Sequence, residues 1–382
     1  MEKMVHIRIE CGDRCGSDKG GDMSKSEEET ETNGSGRRSR SGTGKVTLGD
    51  VAKLAGVSTA TVSRTFNEPE KVAEAIRDKV RNAAAELNWI ANAAGRALAS
   101  SRTRIVGAII PTLDNEIFAR QVSGMQEVLA QRNYTLFVGS TNYDPDEGVR
   151  QVRAMLGRGI EALAIVGESY PPELFRTLDE AGLPHVVTYG YSADSTRNCI
   201  GFDNRLAFAR ITQHLLDLGH RHFATIFQPV ENNDRVEARL RGIRESLGGA
   251  GISLPPERML IGASSLDYGA EGFSELMAQT QRPTAIICGN DTIALGALLA
   301  AQRLKIEVPT ECSITGFDDL AISSRISPGL TTMHIDNAAI GAEAARQLLS
   351  AADRKLTSLR PMEFIPDLRL RGSTAAPVDT NE

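Results

Sequence analysis

Apolar residues between positions 47 and 87 recur at the spacing of amphipathic helices. The first predicted helix begins at Thr47, with Asp50 three residues on, and ends at Gly56. Ser58 caps a second helix that extends to Phe66. The apolar positions are Leu48, Val51, Ala52 and Ala55, then Val62 and Phe66, and finally Val72, Ile76, Val80, Ala84 and Leu87. Two short helices joined by so tight a turn predict a helix-turn-helix, and the last segment completes a three-helix unit.

The second of these helices carries short side chains and one arginine on its outward face. Its outward residues are Thr59, Ala60, Thr61, Ser63 and Arg64. Small hydroxyl side chains allow close approach to a DNA major groove, and an arginine can donate two hydrogen bonds to a guanine. Taken alone, the pattern more often indicates two ordinary helices in a small bundle.

From residue 103 onward, short apolar runs alternate with helical segments. The runs predict buried strands at 105–110, 135–138, 162–166, 185–187, 223–227, 259–261, 285–288 and 313–317. Helices are predicted between them at 118–132, 146–156, 173–181, 206–218, 235–247, 269–279 and 292–304. A helix at 338–349 and short strands at 362–365 and 368–370 follow. This order predicts an α/β fold with two successive doubly wound parallel sheets, whose ligands would bind beyond the carboxyl ends of the strands.

Composition narrows the class of protein. The 382 residues suggest two or three domains, and no apolar run approaches the length of about 18 residues that predicts a membrane span. Five scattered cysteines, among which Cys11 and Cys15 have only a weak metal-like spacing, indicate reduced thiols, so we expect a cytoplasmic protein. The net charge is −6, yet residues 45–104 hold ten Lys and Arg against six Asp and Glu. This local basic charge suits contact with DNA phosphates.

The first 44 residues differ in composition from the rest of the chain. They are rich in Gly, Ser, Glu and Arg and contain almost no aromatic or β-branched residues, so a disordered tail is expected. Translation could equally start at Met4 or Met23.

No pattern typical of an enzyme occurs in the sequence. The segment around Gly107 lacks a GxGxxG run, and there is no phosphate-loop lysine, HExxH motif or GxSxG motif. His220 and His222 lie at a predicted helix-to-strand turn without the further ligands that a metal site needs, which favours a structural role. We therefore predict no catalytic residues, no cofactor and no metal.

A series of short motifs follows in order from about residue 46 to residue 374. They are Asp50-Val51-Ala52, Gly56-Val57-Ser58, Ala60-Thr61-Val62-Ser63-Arg64, Asn92-Ala93-Ala94, Arg96-Ala97-Leu98, Ile105-Val106-Gly107, Gly201-Phe202-Asp203-Asn204, Leu218-Gly219-His220-Arg221, Asn290-Asp291, Gly316-Phe317-Asp318-Asp319 and Leu330-Thr331-Thr332. Together they resemble the lactose/galactose repressor (LacI/GalR) family, and the number of ordered motifs makes the resemblance specific.

This resemblance implies a homodimeric transcriptional regulator, most simply a repressor of carbohydrate or sugar-acid utilisation genes. It implies a DNA-binding head at 45–91, a hinge helix and linker at 92–102, a two-lobed domain similar to periplasmic binding proteins at 103–374, and a tail at 375–382. The dimer would bind a near-palindromic operator in double-stranded DNA, and a small molecule between the lobes would control that binding. The chain would cross between the lobes near Asn204, Met333 and Met362.

The resemblance also implies which residues contact DNA. In and around the helix-turn-helix they are Thr47, Ser58, Thr59, Ala60, Thr61, Ser63, Arg64 and Asn67. In the hinge they are Asn92, Ala94, Arg96 and Leu98, with Leu98 as a wedge between base pairs in the minor groove. The hinge departs from the family at Ala91 and Gly95, where proline and alanine are usual, so we expect it to order only on DNA.

Effector contacts are expected from polar and aromatic residues at the strand ends. By resemblance they are Asn115, Phe118, Tyr143, Asp144, Arg235, Arg239, Asn290, Asp318 and Asp319. Such a set suits a polyhydroxylated ligand, and the arginines could bind a carboxylate or phosphate. The blocks at 67–72 and 200–204 look most like the gluconate-repressor branch, which favours a sugar or sugar acid.

Two other classes of protein remain as alternatives. A two-lobed sugar-binding protein without a regulatory DNA role would need an export signal and no head, and this chain has the opposite features. An enzyme that uses one lobe for a nucleotide would need the phosphate-loop glycines that the sequence lacks.

Overall fold

The structure is a computed structural model that describes residues 46–90, 102–353 and 359–378. The described residues divide into two compact units, one that ends at Trp89 and one that starts at Ile90. The predictions for residues 1–44 and for Asn92, Ala94, Arg96 and Leu98 lie outside the described residues.

The head consists of short helices around a small apolar core. They are α1 Leu48–Ala55, α2 Thr59–Asn67 and α3 Glu74–Glu86, with a 3-10 turn at Pro69–Lys71. A reciprocal cap starts α1, because Thr47 Oγ1 accepts from the Asp50 amide at 3.3 Å and the Asp50 carboxylate accepts from the Thr47 amide at 2.8 Å. Gly56 ends α1 at a φ of 67°, which favours glycine. The third helix begins at Glu74, so Val72 lies before it in extended backbone.

The second unit contains parallel sheets covered by helices. Its strands are β1 Ile105–Ile110, β2 Thr135–Ser140, β3 Ala162–Val166, β4 His185–Thr188, β5 Cys199–Gly201, β6 Phe223–Phe227, β7 Met259–Ile261, β8 Ala285–Cys288, β9 Ser313–Thr315, β10 Thr332–His334, β11 Met362–Glu363 and β12 Asp367–Arg369. Its helices are α4 Glu116–Ala130, α5 Pro145–Gly157, α6 Pro172–Glu180, α7 Asn204–Asp217, α8 Asp234–Gly249, α9 Leu266–Met277, α10 Asp291–Leu304 and α11 Asn337–Ala352, and a 3-10 turn lies at Pro256–Arg258. The predicted α/β class is confirmed, although β5 and β10 were not among the predicted strands.

The strands form two lobes. The first lobe has a six-stranded parallel sheet in the order β11-β5-β4-β3-β1-β2, and the second has a four-stranded parallel sheet in the order β7-β6-β8-β9. Strands β10 and β12 form a separate antiparallel pair. The chain therefore passes between the lobes after β5, after β10 and after β11, which confirms the predicted crossings near Asn204, Met333 and Met362.

Buried apolar side chains fill both faces of the sheets. In the second lobe an aromatic cluster lies under the end of the sheet, where the rings of Phe208 and Phe317 stack with centroids 4.9 Å apart. His220 is fully buried and hydrogen-bonds Thr284, Ser313 and the Ala375 carbonyl, which attaches the C-terminal segment to this lobe. Its predicted structural role is supported by these contacts. None of the described helices has the length and apolar character needed to cross a membrane.

Candidate functional site

The outward face of α2 presents the side chains predicted to contact DNA. Thr59, Ala60, Arg64 and Asn67 are exposed, and Thr61 and Ser63 are half-buried. Thr47 and Ser58, which cap the two helices, are also exposed. The helix is anchored to the head by its opposite face, where Val62 and Thr65 are buried.

Hydrogen bonds within α2 hold its short polar side chains in place. Ser58 Oγ accepts from the Thr61 amide at 3.1 Å, and the Asn67 amide nitrogen donates to Ser63 Oγ at 3.1 Å. Thr65 was not predicted to be buried, and its hydroxyl donates to the Thr61 carbonyl at 2.9 Å. Among the described residues, none forms a hydrogen bond or ion pair with the guanidinium of Arg64. That side chain is therefore available to a base or a phosphate.

A small cavity lies between the two lobes and receives seven of the predicted effector residues. They are Asn115, Phe118, Tyr143, Arg235, Arg239, Asn290 and Asp318. They follow β1, β2, β6, β8 and β9, so the rule that ligands bind beyond the carboxyl ends of parallel strands correctly located the cavity. Its volume is about 20 Å³, enough for about one water molecule and too small for a sugar. A larger cavity of about 790 Å³ lies beside it and shares Arg235.

Hydrogen bonds close the lobes over this cavity. The carboxylate of Asp234, at the start of α8 in the second lobe, accepts from the Glu168 amide and from Ser169 Oγ, both at 3.2 Å. The Asp234 amide donates back to Ser169 Oγ at 2.9 Å. Residues 168 and 169 follow β3 of the first lobe, so these bonds connect the two lobes directly.

Arg239 is buried and connects several parts of the second unit. Its Nε donates to Asn204 Oδ1 at 2.8 Å, and its Nη1 donates to the Gly289 carbonyl at 3.0 Å. The guanidinium carbon lies 4.0 Å from the centroid of the Phe317 ring, at the distance of a cation–π contact. Burial lowers the pKa of Arg239 to about 10, and nearby Asp318 opposes that shift.

Asp318 brings a buried carboxyl group to the cavity. Its φ of 110° is unusual for a residue other than glycine. Burial raises its pKa to about 8, against the attraction of Arg239, so at neutral pH the group is mostly protonated. Arg235 is paired with the Asp234 carboxylate at 3.3 Å, so Arg239 is the cation whose charge the largely neutral Asp318 leaves unbalanced.

Asp291 holds the segment that carries Asp318. Its carboxylate is fully buried and accepts from Ser323 Oγ at 2.6 Å, from the Leu320 amide at 2.8 Å and from Thr332 Oγ1 at 2.5 Å. Burial raises the pKa of this carboxyl to about 6, and the three hydrogen bonds oppose the shift. Asp291 thus joins α10 to the turn after β9 and to the second crossing between the lobes.

Two of the predicted effector residues do not line the cavity. Asp144 caps α5 by accepting from the Asp146 amide at 2.9 Å. Asp319 forms an ion pair with Arg371 at 2.6 Å and a second contact with His334 at 3.1 Å. Because local capping and ion pairing occupy these carboxylates, this arrangement gives their predicted ligand role no support.

Two amide side chains of the cavity were absent from the sequence prediction. Gln228 directly follows β6, and Asn233 precedes α8. The rule that pointed to the other strand ends applies equally to Gln228, so position alone could have identified it. In the part of the chain that the structure describes, no group of three or more His, Cys, Asp or Glu side chains could hold a metal ion.

Comparison with known proteins identifies both units. Residues 47–92 match the description "Bacterial regulatory proteins, lacI family", and residues 212–374 match "Periplasmic binding protein-like domain". The chain is 33% identical to the HTH-type transcriptional regulator GntR of Pseudomonas aeruginosa, over 87% of this chain and 96% of that protein. It is 30% identical to the HTH-type transcriptional repressor PurR of Klebsiella pneumoniae, over 86% of this chain and 97% of that one.

Solved structures show the same relationship. A LacI-family transcriptional regulator from Silicibacter pomeroyi superposes with a TM-score of 0.80 at 27% identity, over 87% of this chain and all of that one. The lac repressor dimer bound to operator and the anti-inducer ONPF superposes with a TM-score of 0.75 at 26% identity, over 87% of this chain and 99% of that one. The chain therefore belongs to the lacI family of bacterial regulatory proteins, and it is a DNA-binding transcriptional regulator rather than an enzyme.

Proposed function

We propose that this regulator is a homodimeric repressor that leaves its operator when a small sugar acid binds between the lobes. The convergence on one cavity of seven residues that the family resemblance implies as effector contacts carries this proposal. Those residues come from both lobes, so a ligand that contacts them changes the energy of closing or opening the cleft.

The charge of the cavity supports an anionic ligand. The carboxylate of Asp234 pairs with Arg235 at 3.3 Å, whereas the raised pKa of Asp318 removes most of the negative charge that would balance Arg239. A carboxylate on the ligand would pair with an arginine, and hydroxyl groups would suit the remaining amides. Sugar acids combine both kinds of group.

The closed cavity supports a conformational change on binding. Because about 20 Å³ cannot hold a sugar, the lobes must separate before a ligand can enter. Separation would break the hydrogen bonds of Asp234 to Glu168 and Ser169. In the dimer we propose that the resulting movement of the first lobe alters the pairing of the two heads on a near-palindromic operator.

On the DNA side, we propose that Arg64 reads a base and that Thr59 and Ala60 lie beside it in the major groove. The exposed face of α2 supports this assignment. The hinge residues Asn92, Ala94, Arg96 and Leu98 are proposed to add contacts in the minor groove.

A thermal-shift screen of neutral sugars and their acids tests the ligand proposal. A ligand at 100 times its Kd stabilises the folded protein by about 2.7 kcal/mol, which raises the Tm by a few degrees. We expect D-gluconate or a related acid to raise the Tm, with no effect from the corresponding neutral sugars. The same compound should then release the protein from an operator selected from random DNA. Stabilisation by neutral sugars alone would contradict the anionic class, and stabilisation by neither class would contradict the sugar site.

A further inference from the structure

Several hydrogen-bonding side chains that line the cavity between the lobes already have partners within the protein. Asn290 caps α10 through Oδ1, which accepts from the Ile293 amide at 2.9 Å, and its nitrogen donates to Ser264 at 2.6 Å. Asn115 caps α4 by accepting from the Ile117 amide at 3.1 Å. With Arg239 bound to Asn204 and Gly289, these side chains mainly build the wall of the cavity.

Two acceptor atoms in the same wall have no partner among the described residues. They are Oε1 of Gln228 and Oδ1 of Asn233. Only 9% of Gln228 and 4% of Asn233 is exposed, so bulk water does not readily replace the missing donors. A buried acceptor without a donor destabilises the protein, and such groups are rare unless a ligand or an ordered water completes them.

Asn233 lies at the start of a helix, and its position indicates whether capping explains its unpaired oxygen. Asn233 precedes α8 at the N-cap position, where an asparagine oxygen normally accepts from an amide of the first helical turn. Here the side chain forms no such capping bond. Helix capping therefore does not explain why an asparagine occupies position 233.

The position of Gln228 depends on a glycine. A Cβ atom added to Gly289 would lie 2.3 Å from Gln228 Oε1, so a larger residue at position 289 would displace the glutamine carbonyl from where it lies. The Gly289 carbonyl also accepts from Arg239. Gln228 and Arg239 thus both lie next to Gly289, in the wall of the same cavity.

We infer that Gln228 and Asn233 determine ligand specificity by accepting hydrogen bonds from two hydroxyl groups of the ligand. The inference rests on the proposed function and specifies the ligand as a polyol acid with hydroxyl donors beside its anionic group. Analogues that lack a donor at these positions, such as deoxy or O-methyl derivatives, leave the oxygens without partners and bind about 10- to 100-fold more weakly.

Two variants, at positions three residues apart in the chain, test this inference. Gln228→Met keeps the length of the side chain and removes the acceptor. Thr225→Val is the matched control, because Thr225 Oγ1 is also buried without a partner but lies away from the cavity wall. Both variants remove an unsatisfied oxygen, so both ligand-free proteins should melt at the wild-type temperature or above it.

Affinity for D-gluconate separates the two variants. Gln228→Met should bind it about 10- to 100-fold more weakly, whereas Thr225→Val should bind it as the wild type does. With the singly deoxygenated gluconates, the wild type should lose affinity for at least one compound. Gln228→Met should be insensitive to the loss of that same hydroxyl, as expected when the two groups interact.

Each contrary result has a distinct meaning. A lower Tm for ligand-free Gln228→Met would mean that the amide is structural and would overturn the inference. Unchanged affinity in that variant, or equal sensitivity to every deoxy compound, would overturn it by indicating that the oxygen binds only a buried water. If the wild type itself shows no Tm shift with D-gluconate, the deoxy compounds or the neutral sugars, the proposed function fails and the inference fails with it.

Discussion

The recognition helix and the ligand cavity use polar side chains in opposite ways. On α2 the polar side chains other than Thr65 are exposed or half-buried, and the side-chain hydrogen bonds of the helix join residues three or four positions apart. In the cavity Arg239 is buried, and its partners lie 35 and 50 positions away. The difference separates two kinds of polar site: a surface whose side chains remain available for DNA, and an interior whose side chains also stabilise the fold. Substitutions of cavity side chains that are bonded within the protein, such as Arg239, should therefore lower stability, whereas those on the outward face of α2 should mainly affect DNA binding.

Arg239→Ala should produce the largest effect. It leaves the Asn204 oxygen and the Gly289 carbonyl without donors and removes the contact with Phe317, so we expect a loss of about 3 to 4 kcal/mol in the free energy of unfolding. Urea denaturation, followed by circular dichroism, measures this loss in the free energy of unfolding. Arg241→Ala, at an exposed position on the same helix, should change stability by less than about 0.5 kcal/mol. Equal effects of the two substitutions would remove the contrast between the buried and the exposed arginine.

Asp318→Asn should change how stability depends on pH. Because the folded pKa is about 8 and the ordinary value is 3.8, the folded state binds more protons than the unfolded state between these values. This carboxyl therefore makes the protein less stable as pH rises, by about 3 kcal/mol between pH 5 and pH 7. The free energy of unfolding should be measured by denaturation for both proteins at pH 5 and pH 7. The difference between wild type and variant should change by this amount between the two pH values. The same slope in the variant would mean that other groups cause it, and exposed Asp114→Asn should leave it intact.

Arg64→Ala should alter DNA recognition without loss of stability. Removing a bidentate contact to guanine costs about 1 to 3 kcal/mol at that base pair and relaxes the preference there. Selection from a random DNA library with each protein would detect the change. An identical consensus for both proteins would show that Arg64 does not read a base.

Ser58→Ala should weaken the head by about 1 kcal/mol, because α2 loses the acceptor for the Thr61 amide. Trp89 is the single tryptophan of the chain, and the centroid of its ring lies 5.3 Å from that of Phe66 in the head. Its fluorescence therefore reports on the head alone. Ser58→Asp retains a capping oxygen and should recover most of the loss. If both variants melt like the wild type, the cap does not stabilise α2.

The same contrast accounts for what could be predicted from sequence. Helix caps at Thr47 and Ser58 and the long apolar strands depend on residues close in the chain, and these elements were predicted within a few residues of their observed ends. Strands β5 and β10 have three residues each and contain only one large apolar side chain apiece, Ile200 and Met333, so they do not form the apolar run that revealed the equally short β7. Thr65 is buried because its hydroxyl bonds the backbone, which an apolar pattern does not register.

The cavity was predictable as a location and less so in its details. The rule that ligand contacts lie at strand ends pointed to Asn115 and Asn290, and both residues line the cavity. However, the side-chain amides of both residues cap helices. Asp319 was expected to face the ligand, but its partner Arg371 lies 52 positions away. Whether a polar side chain is free or occupied depends on such distant partners, and local sequence does not specify them.

The three crossings between the lobes also affect how the protein is synthesised. Strand β11 completes the first sheet beside β5, and Ser373 bonds the Ile314 carbonyl of the second lobe. Neither lobe can therefore be finished on the ribosome until almost the entire chain has emerged, whereas the head depends only on residues up to Trp89. A nonsense mutation between β10 and β11 should yield a folded head attached to two incomplete lobes, a fragment that cellular proteases would remove.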